Sequence, residues 1–377
     1  MNKFPGKYVI GLTGNIATGK SVVRRMLEHL GAYTIDADSL AHRAIAKGAP
    51  GYAPVLDTFG KWILDSQGQI DRQKIGGLVF RDPEAMSRLE AIVHPIVGGA
   101  VELLVRRAKQ KVVVVEAIKL LESELRAKCD SIWVAYAPED VQIERLTRKR
   151  NLTREEAIMR IHSQGLQSDK VDQANTVIRN TGSYEELWKQ VNTAWKGISS
   201  TGQRAPVTRQ KGADGELSVH RGVPRDSEII SSLVTRLSNG EKSMTRADVM
   251  EAFGDKAFLL LVRGNKEIGL SGWQVENLVA RTTDIFIEPE FANERSLATI
   301  LKEVEKASQD LQCEVSLVFP LGDLAGLDAV WKDLGYEKRA PDSLGVQAWQ
   351  DAARESMPAG SVLMFKQLRS DRVLRPI

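Results

Sequence analysis

A strand, a glycine-containing turn and a helix follow one another at the start of the chain, and this order constrains the fold more than any other feature. The apolar run Tyr8-Val9-Ile10-Gly11-Leu12 leads through Thr13 into Gly14-Asn15-Ile16-Ala17-Thr18-Gly19-Lys20-Ser21, and a helical pattern covers residues 22–30. Two glycines let such a turn wrap round an anion, toward which backbone N–H groups and the helix N-terminus then point. The sequence therefore predicts a P-loop, the phosphate-binding turn of an α/β nucleotide-binding domain.

The residue types in this turn match the chemistry of phosphate binding. We expect Lys20 to reach the β- and γ-phosphates of ATP and Ser21 to hold Mg²⁺ through its hydroxyl. The surrounding backbone would bind phosphate oxygens, at Gly14, Ala17, Thr18, Gly19 and Val22. The alternative, a glycine-bearing turn with a chance lysine, does not account for the strand before the turn and the helix after it.

Composition bounds the remaining functions. The net charge of +3 is too small to indicate nucleic-acid binding, and no cluster of aromatic and basic residues suggests a binding platform. Cys129 and Cys313 lie far apart, which fits reduced thiols, so we expect a cytoplasmic protein. The apolar runs are too short for a signal peptide or a membrane span, so we expect no membrane association.

The chain divides into two predicted domains. Before residue 199, short apolar strands alternate with longer helical stretches, as in a parallel sheet wrapped by helices. The expected strands are Tyr8 to Leu12, Ala32 to Ile35, Lys111 to Val115, Ser131 to Ala135 and Thr176 to Ile178. A stretch rich in small and polar residues breaks the pattern. We expect a three-layer P-loop domain over residues 1–198, a linker at 199–216 and a smaller, separable domain over 217–377.

Two aspartates follow the second expected strand, in Ile35-Asp36-Ala37-Asp38. Ligands of a parallel α/β sheet bind beyond the carboxyl ends of its strands, so these carboxylates should lie beside the P-loop substrate. One could accept a proton from a substrate hydroxyl while a neighbouring carboxylate or a water molecule supports Mg²⁺. The structural alternative is that Asp38 caps a helix running from Leu40. We favour catalysis for Asp38 and leave both readings open for Asp36.

Basic residues crowd two later helical stretches, with Arg145, Arg148, Lys149 and Arg150 in the first and Arg160 and His162 in the second. They form either a solvated helix face or a lid that places guanidinium groups against a transferred phosphoryl group. Arg145 and Arg160 are the candidates for the lid. His94-Pro95 precedes another helical run, and because proline is common in a first helical turn, we interpret His94 as structural.

Residues 7 to about 197 resemble the dephospho-coenzyme A kinase family. The resemblance rests on an ordered series of motifs: Gly11-Leu12-Thr13-Gly14 with Gly19-Lys20-Ser21, Ile35-Asp36-Ala37-Asp38, Phe59-Gly60, Gly68-Gln69-Ile70-Asp71-Arg72, Val79-Phe80 with Asp82-Pro83, Leu89-Glu90-Ala91-Ile92-Val93-His94-Pro95, Leu120-Leu121-Glu122, Arg145-Leu146, Arg160-Ile161 with Gln164, and Asn180-Thr181-Gly182. It implies transfer of the ATP γ-phosphoryl group to the ribose 3′-hydroxyl of dephospho-coenzyme A. It also implies a helical substrate-binding insert around residues 45–100 and a lid around residues 140–170.

The same resemblance implies roles for single residues. Asp38 matches the proposed base, and the charges on the phosphoryl group would come from Lys20, Arg145 and Arg160. Asn180 would lie on the nucleotide side, and the acceptor side would comprise Thr13, Asp36, Asp38 and His94. Whether Asp36 or Glu116 assists Mg²⁺ stays open.

The chain departs from the family pattern at three places. Asn15, Ala17 and Thr18 stand where the loop is usually richer in glycine and serine. Ile118-Lys119 replaces a usual Pro-Leu, and Lys149-Arg150 replaces a usual Arg-Asp. None of these changes removes a group that the chemistry needs.

The second predicted domain resembles the GNAT acyltransferase fold by element order. We expect a strand at Ser218 to Arg221, helices at Asp226 to Leu237 and Thr245 to Phe253, a hairpin from Phe258 to Val275, a strand at Asp284 to Ile287, a helix at Arg295 to Leu311, a strand at Glu314 to Phe319 and a helix ending near Tyr336. The usual glycine-rich pyrophosphate loop is replaced by Phe291-Ala292-Asn293-Glu294-Arg295-Ser296, and the usual tyrosine acid by Trp331. We therefore expect a domain that is not catalytic.

Two other readings stay open for the P-loop domain. A nucleoside- or shikimate-like kinase would share the P-loop but not the segments Gly68 to Arg72 and His94-Pro95. A nucleotide-dependent switch with an acyltransferase-like module would carry an Asn-Lys-x-Asp motif if it bound GTP, and Asn265-Lys266 is followed by Glu267-Ile268 instead. The sequence favours the metabolite kinase.

Overall fold

The structure, a computed structural model, describes residues 4–79, 81–199, 216–238, 242–371 and 373–374. These residues form two compact units. The first comprises Met1–Lys20, Ala32–Thr181 and Asp371–Ile377, and the second comprises Ser21–Gly31 and Gly182–Ser370. Of the linker expected at 199–216, residues 200–215 lie outside the described residues.

A five-stranded parallel sheet forms the core of the first unit. Its strands are β1 (Tyr8–Thr13), β2 (Tyr33–Asp36), β3 (Val112–Glu116), β4 (Ser131–Tyr136) and β5 (Thr176–Arg179), in the order β2-β3-β1-β4-β5. Every neighbouring pair is parallel, so all five carboxyl ends lie at one edge. Residues 113–116 of β3 are buried, as expected for a strand covered on both faces. The five predicted strands and the fold class are confirmed.

Helix α1 (Lys20–His29) begins at the P-loop lysine and belongs to the second unit from Ser21 onward. The first unit contains α2 (Ala37–Ala44), α3 (Tyr52–Phe59), α4 (Arg72–Val79), α5 (Pro83–Arg107), α6 (Glu139–Arg150), α7 (Arg154–His162) and α8 (Gln167–Asp172), with 3-10 turns at Lys61–Ile63 and Arg126–Lys128. Helices α3, α4 and α5 share a small apolar core around Val55, Ile63 and Ile75, where the resemblance places a substrate insert.

Two helices begin where the sequence analysis did not expect them. Helix α2 starts at Ala37, because the Asp36 side chain accepts the Ser39 N–H at 2.9 Å and caps it. The cap proposed for Asp38 is therefore wrong. Helix α5 starts at Pro83, after the Asp82 cap, and runs through Pro95. Pro95 thus lies inside a helix rather than in its first turn, so that argument for a structural His94 is also wrong.

A seven-stranded sheet forms the core of the second unit. Its strands are β6 (Leu217–Arg221), β7 (Ala257–Arg263), β8 (Lys266–Glu276), β9 (Val279–Ile287), β10 (Val315–Val318), β11 (Glu337–Arg339) and β12 (Leu363–Gln367), in the order β11-β12-β10-β9-β8-β7-β6. Strands β9 and β10 pair in parallel from Val279 to Thr282, and the other pairs are antiparallel. This mixed sheet has the element order expected for a GNAT-like domain.

The helices of the second unit after α1 are α9 (Tyr184–Ser199), α10 (Ser227–Leu237), α11 (Arg246–Ala252), α12 (Glu294–Asp310), α13 (Gly322–Ala325), α14 (Asp328–Asp333) and α15 (Gln347–Ser356), with 3-10 turns at Pro224–Asp226, Pro289–Phe291 and Pro341–Ser343. Helix α12 packs through Leu297, Ile300 and Leu301 on one apolar cluster, and α10 and α11 pack on another around Phe253 and Phe258.

The sequence missed three elements of the second unit and shortened a fourth. Helix α15 and strands β11 and β12 were not predicted. Strand β9 begins at Val279 rather than Asp284, because Asn277 and Leu278 adopt φ values of 54° and 60° and form a two-residue turn after β8. Positive φ at both central residues is the geometry of a tight hairpin, although leucine is a rare residue for it.

Among the residues that the structure describes, no helix combines the length and the apolar character needed to cross a membrane.

Candidate active site at the P-loop

The backbone of the predicted P-loop lies between β1 and α1 and turns at two glycines. Gly14 has φ 150° and Gly19 has φ 89°. A side chain at Gly14 would collide with the carbonyl oxygen of Ala135. Ala17 adopts φ 60°, a left-handed conformation that an L-residue with a Cβ adopts at a cost of about 1–2 kcal/mol. The departure from glycine at position 17 therefore leaves the turn intact and adds local strain.

Hydrogen bonds from Asn180, which follows β5, and from Arg145 of α6 hold the P-loop backbone at Ala17 and Thr18. The Asn180 amide, 7% exposed, donates to the Thr18 carbonyl at 3.0 Å. Arg145, in α6, donates to the Ala17 carbonyl at 3.1 Å and to the Asn180 carbonyl at 3.0 Å. Burial lowers the pKa of Arg145, which still remains a cation. Arg145 thus lies against the turn whose phosphate-binding role it is expected to assist.

The segment between α7 and α8 also contacts the P-loop. The Gln164 side-chain oxygen accepts the Ile16 N–H at 2.6 Å, and the Asn15 amide donates to the Gly165 carbonyl at 3.0 Å. Within the turn, the Thr18 hydroxyl donates to the Asn15 carbonyl at 2.9 Å. Asn15, which looked like a plain departure from the family loop, therefore joins the turn to the expected lid.

Lys20 is the buried cation of the site. Its side chain is 8% exposed, and its ammonium donates to the Asn15 carbonyl at 3.2 Å. Burial lowers the pKa of Lys20, while the negative charges of Glu116, Asp38 and Asp36 act in the opposite direction. Three carboxylates therefore act on the ammonium group through their negative charge and favour its charged form.

Asp36, Asp38 and Glu116 meet because parallel strands end at one edge. Asp36 at the end of β2 is the register partner of Glu116 at the end of β3. Asp38 lies in the first turn of α2, where it accepts the backbone N–H of Ile118 at 3.0 Å. Burial, followed by the charge of Asp36, raises the pKa of Asp38 to about 6. A carboxylate with a pKa this close to neutrality can take a proton and release it again.

The sequence missed two residues that hold Asp38 in place. The Ile118 carbonyl accepts hydrogen bonds from the Thr13 hydroxyl and from the Lys170 ammonium, both at 3.0 Å. Lys170 lies in α8 and is 6% exposed. In the sequence, Ile118 stands out only as a replacement for a usual proline. In the structure, its backbone N–H donates the hydrogen bond to Asp38. No local pattern marks Lys170, since its partner lies 52 residues away.

Other expected site residues are exposed. The side chains of His94 in α5 and Arg160 in α7 have no hydrogen bond to the P-loop within the described part of the chain, and Ser21 is exposed as well. His162 contacts Glu139 at 3.2 Å, on the surface of α6 and α7. The geometry thus places Arg145, and not Arg160, against the P-loop.

The donor set fits Mg²⁺ bound together with nucleotide phosphates. Ser21 offers a hydroxyl, and Asp36 and Glu116 offer carboxylates at neighbouring strand ends. The described residues contain no group of three or more His, Cys, Asp or Glu side chains placed to hold a metal ion. Mg²⁺ is usually held by one or two protein oxygens, with phosphates and water completing its shell, so these residues suit it.

The two positions that the sequence singled out in the second domain are occupied by internal contacts. The Asn293 side chain accepts the Ser296 N–H at 3.1 Å and caps α12. The Trp331 indole N–H donates to the Leu324 carbonyl at 2.9 Å, and the residue is 2% exposed. Tyr336, T-shaped against Trp331, bonds the Ser316 hydroxyl at 2.9 Å.

Comparison with known proteins agrees with the geometry of the first unit. The family model for dephospho-CoA kinase matches residues 8–186. A dephospho-CoA kinase from Carboxydothermus hydrogenoformans is 40% identical over 194 residues, which is 50% of this chain and 94% of that protein. The chain belongs to the dephospho-CoA kinase family. A second family member, from Geobacter metallireducens, is 41% identical over 191 residues, covering 50% of this chain and 95% of its own length.

The match to the dephospho-CoA kinase family contains every candidate residue of the P-loop site. It leaves the second half of the chain unmatched. A solved acetyltransferase of the GNAT family from Staphylococcus aureus Mu50 covers 41% of this chain and 100% of its own, at 11% identity and a TM-score of 0.32.

Proposed function

We propose that the chain transfers the γ-phosphoryl group of ATP to the ribose 3′-hydroxyl of dephospho-coenzyme A, which gives coenzyme A and ADP. The observation that carries this proposal is Asp38, a carboxylate with a pKa of about 6, held by the Ile118 N–H beside the buried Lys20. Membership of the family supports the choice of substrate. Cys129 and Cys313 are both free thiols, and free thiols suit the reducing conditions of the cytoplasm. They support a cytoplasmic site of action.

In the proposed reaction, Asp38 accepts the proton of the 3′-hydroxyl as that oxygen bonds to the γ-phosphorus. The bond from the γ-phosphorus to the bridging oxygen breaks, and ADP leaves. Lys20 and Arg145 neutralise the charge on the phosphates, and Asn180 holds the turn that binds them. Bound Mg²⁺, held by Ser21 and by Asp36 or Glu116, would neutralise further negative charge on the phosphates.

The remaining family roles fall on the acceptor side. We propose that Thr13 and His94 contact dephospho-coenzyme A and that Arg160 reaches the transferring group when the lid closes. The exposed positions of His94 and Arg160 suit residues that meet a ligand rather than the protein core.

Substrate choice is tested by ADP release from the purified chain with dephospho-coenzyme A, a panel of nucleosides, and shikimate. We expect dephospho-coenzyme A to exceed every other acceptor by about 10³-fold or more in kcat/KM, because its binding energy is used in the transition state. Comparable rates with a nucleoside or shikimate would support the other kinases instead.

The pH dependence follows from Asp38. Only the deprotonated carboxylate accepts a proton, so kcat/KM for dephospho-coenzyme A at saturating MgATP should fall about tenfold per pH unit below about 6 and level off above it. Saturation with MgATP removes the titration of free ATP from the profile. A flat profile between pH 5 and 7 would contradict the role of Asp38 as base.

We propose further that the second domain does not transfer acetyl groups by the usual GNAT chemistry. Coenzyme A binding in that chemistry needs free backbone N–H groups at a helix N-terminus, and Asn293 caps this end of α12 with its own side chain. Trp331 is too weak an acid to protonate a leaving thiolate, and its N–H is already bonded. The residues present therefore do not fit acetyl-coenzyme A.

The full chain should release no coenzyme A thiol above the spontaneous rate when incubated with acetyl-coenzyme A and polyamines, lysine peptides or arylamines. A thiol-reactive dye measures the release, and a chain lacking kinase activity through Lys20→Met serves equally well for this assay. Turnover with any amine, lost on replacement of Glu294 or Trp331, would overturn the proposal.

A further inference from the structure

Helix α1 carries two opposite faces of buried side chains. Val23, Met26 and Leu27, each 0% exposed, form an apolar face. Arg25 and Glu28, 5% and 2% exposed, lie one turn apart on the opposite side of the helix. A surface helix ordinarily buries its apolar face and leaves the charged face in water. The burial of both faces means that a second set of residues covers α1.

Residues of the C-terminal domain cover the charged face of α1, within the second compact unit. Arg25 forms an ion pair with Glu28 at 2.7 Å, and its second nitrogen donates to the Val275 carbonyl at the end of β8, at 3.3 Å. The backbone carbonyl of a β-strand thereby accepts a hydrogen bond from a guanidinium group of the helix.

A second guanidinium group, that of Arg221 in the C-terminal domain, interacts electrostatically with Glu28. Arg221, at the end of β6, buries its Nε and Nη2 atoms, which find no hydrogen-bond partner among the described residues. Burial lowers the pKa of Arg221, and the charge of Glu28 acts in the opposite direction. Its guanidinium also lies 5.8 Å from the ring centre of Trp273. The single negative charge of Glu28 is thus shared between two buried cations, Arg25, with which it forms an ion pair, and Arg221, on which it acts electrostatically.

The C-terminal end of α1 makes the third contact. The His29 Nε2 atom lies 3.0 Å from the carbonyl oxygen of Phe253, and because a carbonyl only accepts, Nε2 carries the proton. The two rings also meet edge to face at 5.4 Å. Burial, and next the charge of Arg221, holds the pKa of His29 well below its usual value. His29 is therefore a neutral donor at neutral pH.

We propose that the C-terminal domain acts as a clasp on the P-loop helix, in which Arg221, Phe253 and Val275 hold α1 and thereby keep Lys20 and Ser21 in the position that binds ATP. Helix α1 is continuous with Lys20, so a shift of the helix moves the residues that contact the phosphates. The clasp gives this domain a function in the kinase without any acyl transfer. The proposed clasp disagrees with the prediction, made from the linker composition, that the second domain is separable.

Full-length variants test the clasp away from the catalytic residues. Arg221→Met removes a cation from β6, and Glu28→Gln leaves two buried guanidinium groups without their carboxylate, the more damaging change. We expect amide hydrogen exchange in residues 21–31 to speed up about tenfold or more in both variants, and the Kd for MgATP to rise about 5- to 50-fold. The double variant should be less impaired than the sum of the two, because the net charge of Arg25, Glu28 and Arg221 together returns to its wild-type value.

Arg225→Met is the matched control. It removes the same charged group four residues further on, from a side chain that is 69% exposed. It should leave both the exchange of residues 21–31 and the MgATP affinity unchanged. Unchanged exchange of α1 in Arg221→Met and Glu28→Gln, or faster exchange with wild-type affinity, would overturn the clasp.

The unaltered chain provides a test that does not depend on whether a variant folds. Coupling between two sites is reciprocal, so a nonhydrolysable ATP analogue with Mg²⁺ should slow exchange in residues 246–256 and 271–281, the segments that contain the α1 contacts Phe253 and Val275. Protection confined to residues 14–31 would contradict the proposal. Both experiments require only nucleotide binding, so a chain that binds ATP but does not phosphorylate dephospho-coenzyme A would refute the proposed function and leave the clasp standing.

Discussion

Replacing Lys20 by methionine is expected to lower the rate of phosphoryl transfer by about 10³-fold or more while the chain remains folded. Methionine keeps the length and apolar stem of the side chain and removes the ammonium group, which is buried at the P-loop. A cation in a site sheltered from water stabilises the developing charge of the transferring group far more than one in solvent.

The Lys20→Met variant should show a large fall in kcat and a small change in stability. The folded state loses the hydrogen bond from the Lys20 ammonium to the Asn15 carbonyl at 3.2 Å and the attraction to Glu116, Asp38 and Asp36, while the desolvation cost of the buried ammonium also disappears. ADP release with dephospho-coenzyme A measures the rate, and thermal unfolding checks the fold. Lys196→Met, at an exposed position of α9, is the matched control and should behave as the wild type. Near wild-type turnover in Lys20→Met would refute the P-loop assignment.

Replacing Asp38 by asparagine is expected to lower kcat by about 10² to 10⁴ with little change in MgATP binding. Asparagine is isosteric, and its side-chain oxygen can still accept the Ile118 N–H that Asp38 accepts at 3.0 Å. The change therefore removes the base and keeps its surroundings. The residual activity should also lose the inflection near pH 6.

Stability should move in the opposite direction from activity in this variant. The pKa of Asp38 is raised from 3.8 to about 6 in the folded protein, so the folded state binds this proton more tightly than the unfolded chain does. The free energy of unfolding therefore falls as the pH rises from 3.8 to about 6 and stays at the lower value above that, and asparagine, which does not ionise, avoids this loss. At pH 8 the Tm of Asp38→Asn should equal or exceed that of the wild type.

Asp82→Asn provides the matched control for this experiment. It makes the same change of charge in an exposed aspartate that caps α5, where asparagine caps equally well. Its kcat and Tm should both stay at wild-type values. A fall in the Tm of Asp38→Asn with unchanged kcat would mean that Asp38 has a purely structural role.

The parts of the fold that the sequence predicted depend on local patterns. The P-loop shows itself by two glycines, a lysine and a hydroxyl at fixed spacing, and the strands by short apolar runs. Strand β9 was placed too late because the turn at Asn277 and Leu278 uses a leucine where glycine or asparagine would have given a signal. Helix α2 was placed too late because Asp36 and Asp38 are both acceptable caps, and only the hydrogen bond to Ser39 distinguishes them.

The parts of the site that the sequence missed depend on backbone atoms brought together by the fold. The hydrogen-bond partner of Asp38 is the backbone N–H of Ile118, 80 residues later. Because the contact uses the backbone, the side-chain type at position 118 does not predict it. Lys170 reaches the same residue from α8. The sequence does not predict the burial of Arg25 and Glu28 either, because arginine and glutamate one turn apart are usual on a solvated helix.

The charged face of α1 disfavours the evolutionary loss of the C-terminal domain from this chain. A gene truncated after α9 would remove Val275 and Phe253, the partners of Arg25 and His29, together with Arg221, which interacts electrostatically with Glu28. Substitutions on α1 that suit a solvated helix would in turn be harmful while the second half is present. Each step alone is then disfavoured, so the two halves are expected to be inherited together, with changes on α1 and on β6 occurring as pairs.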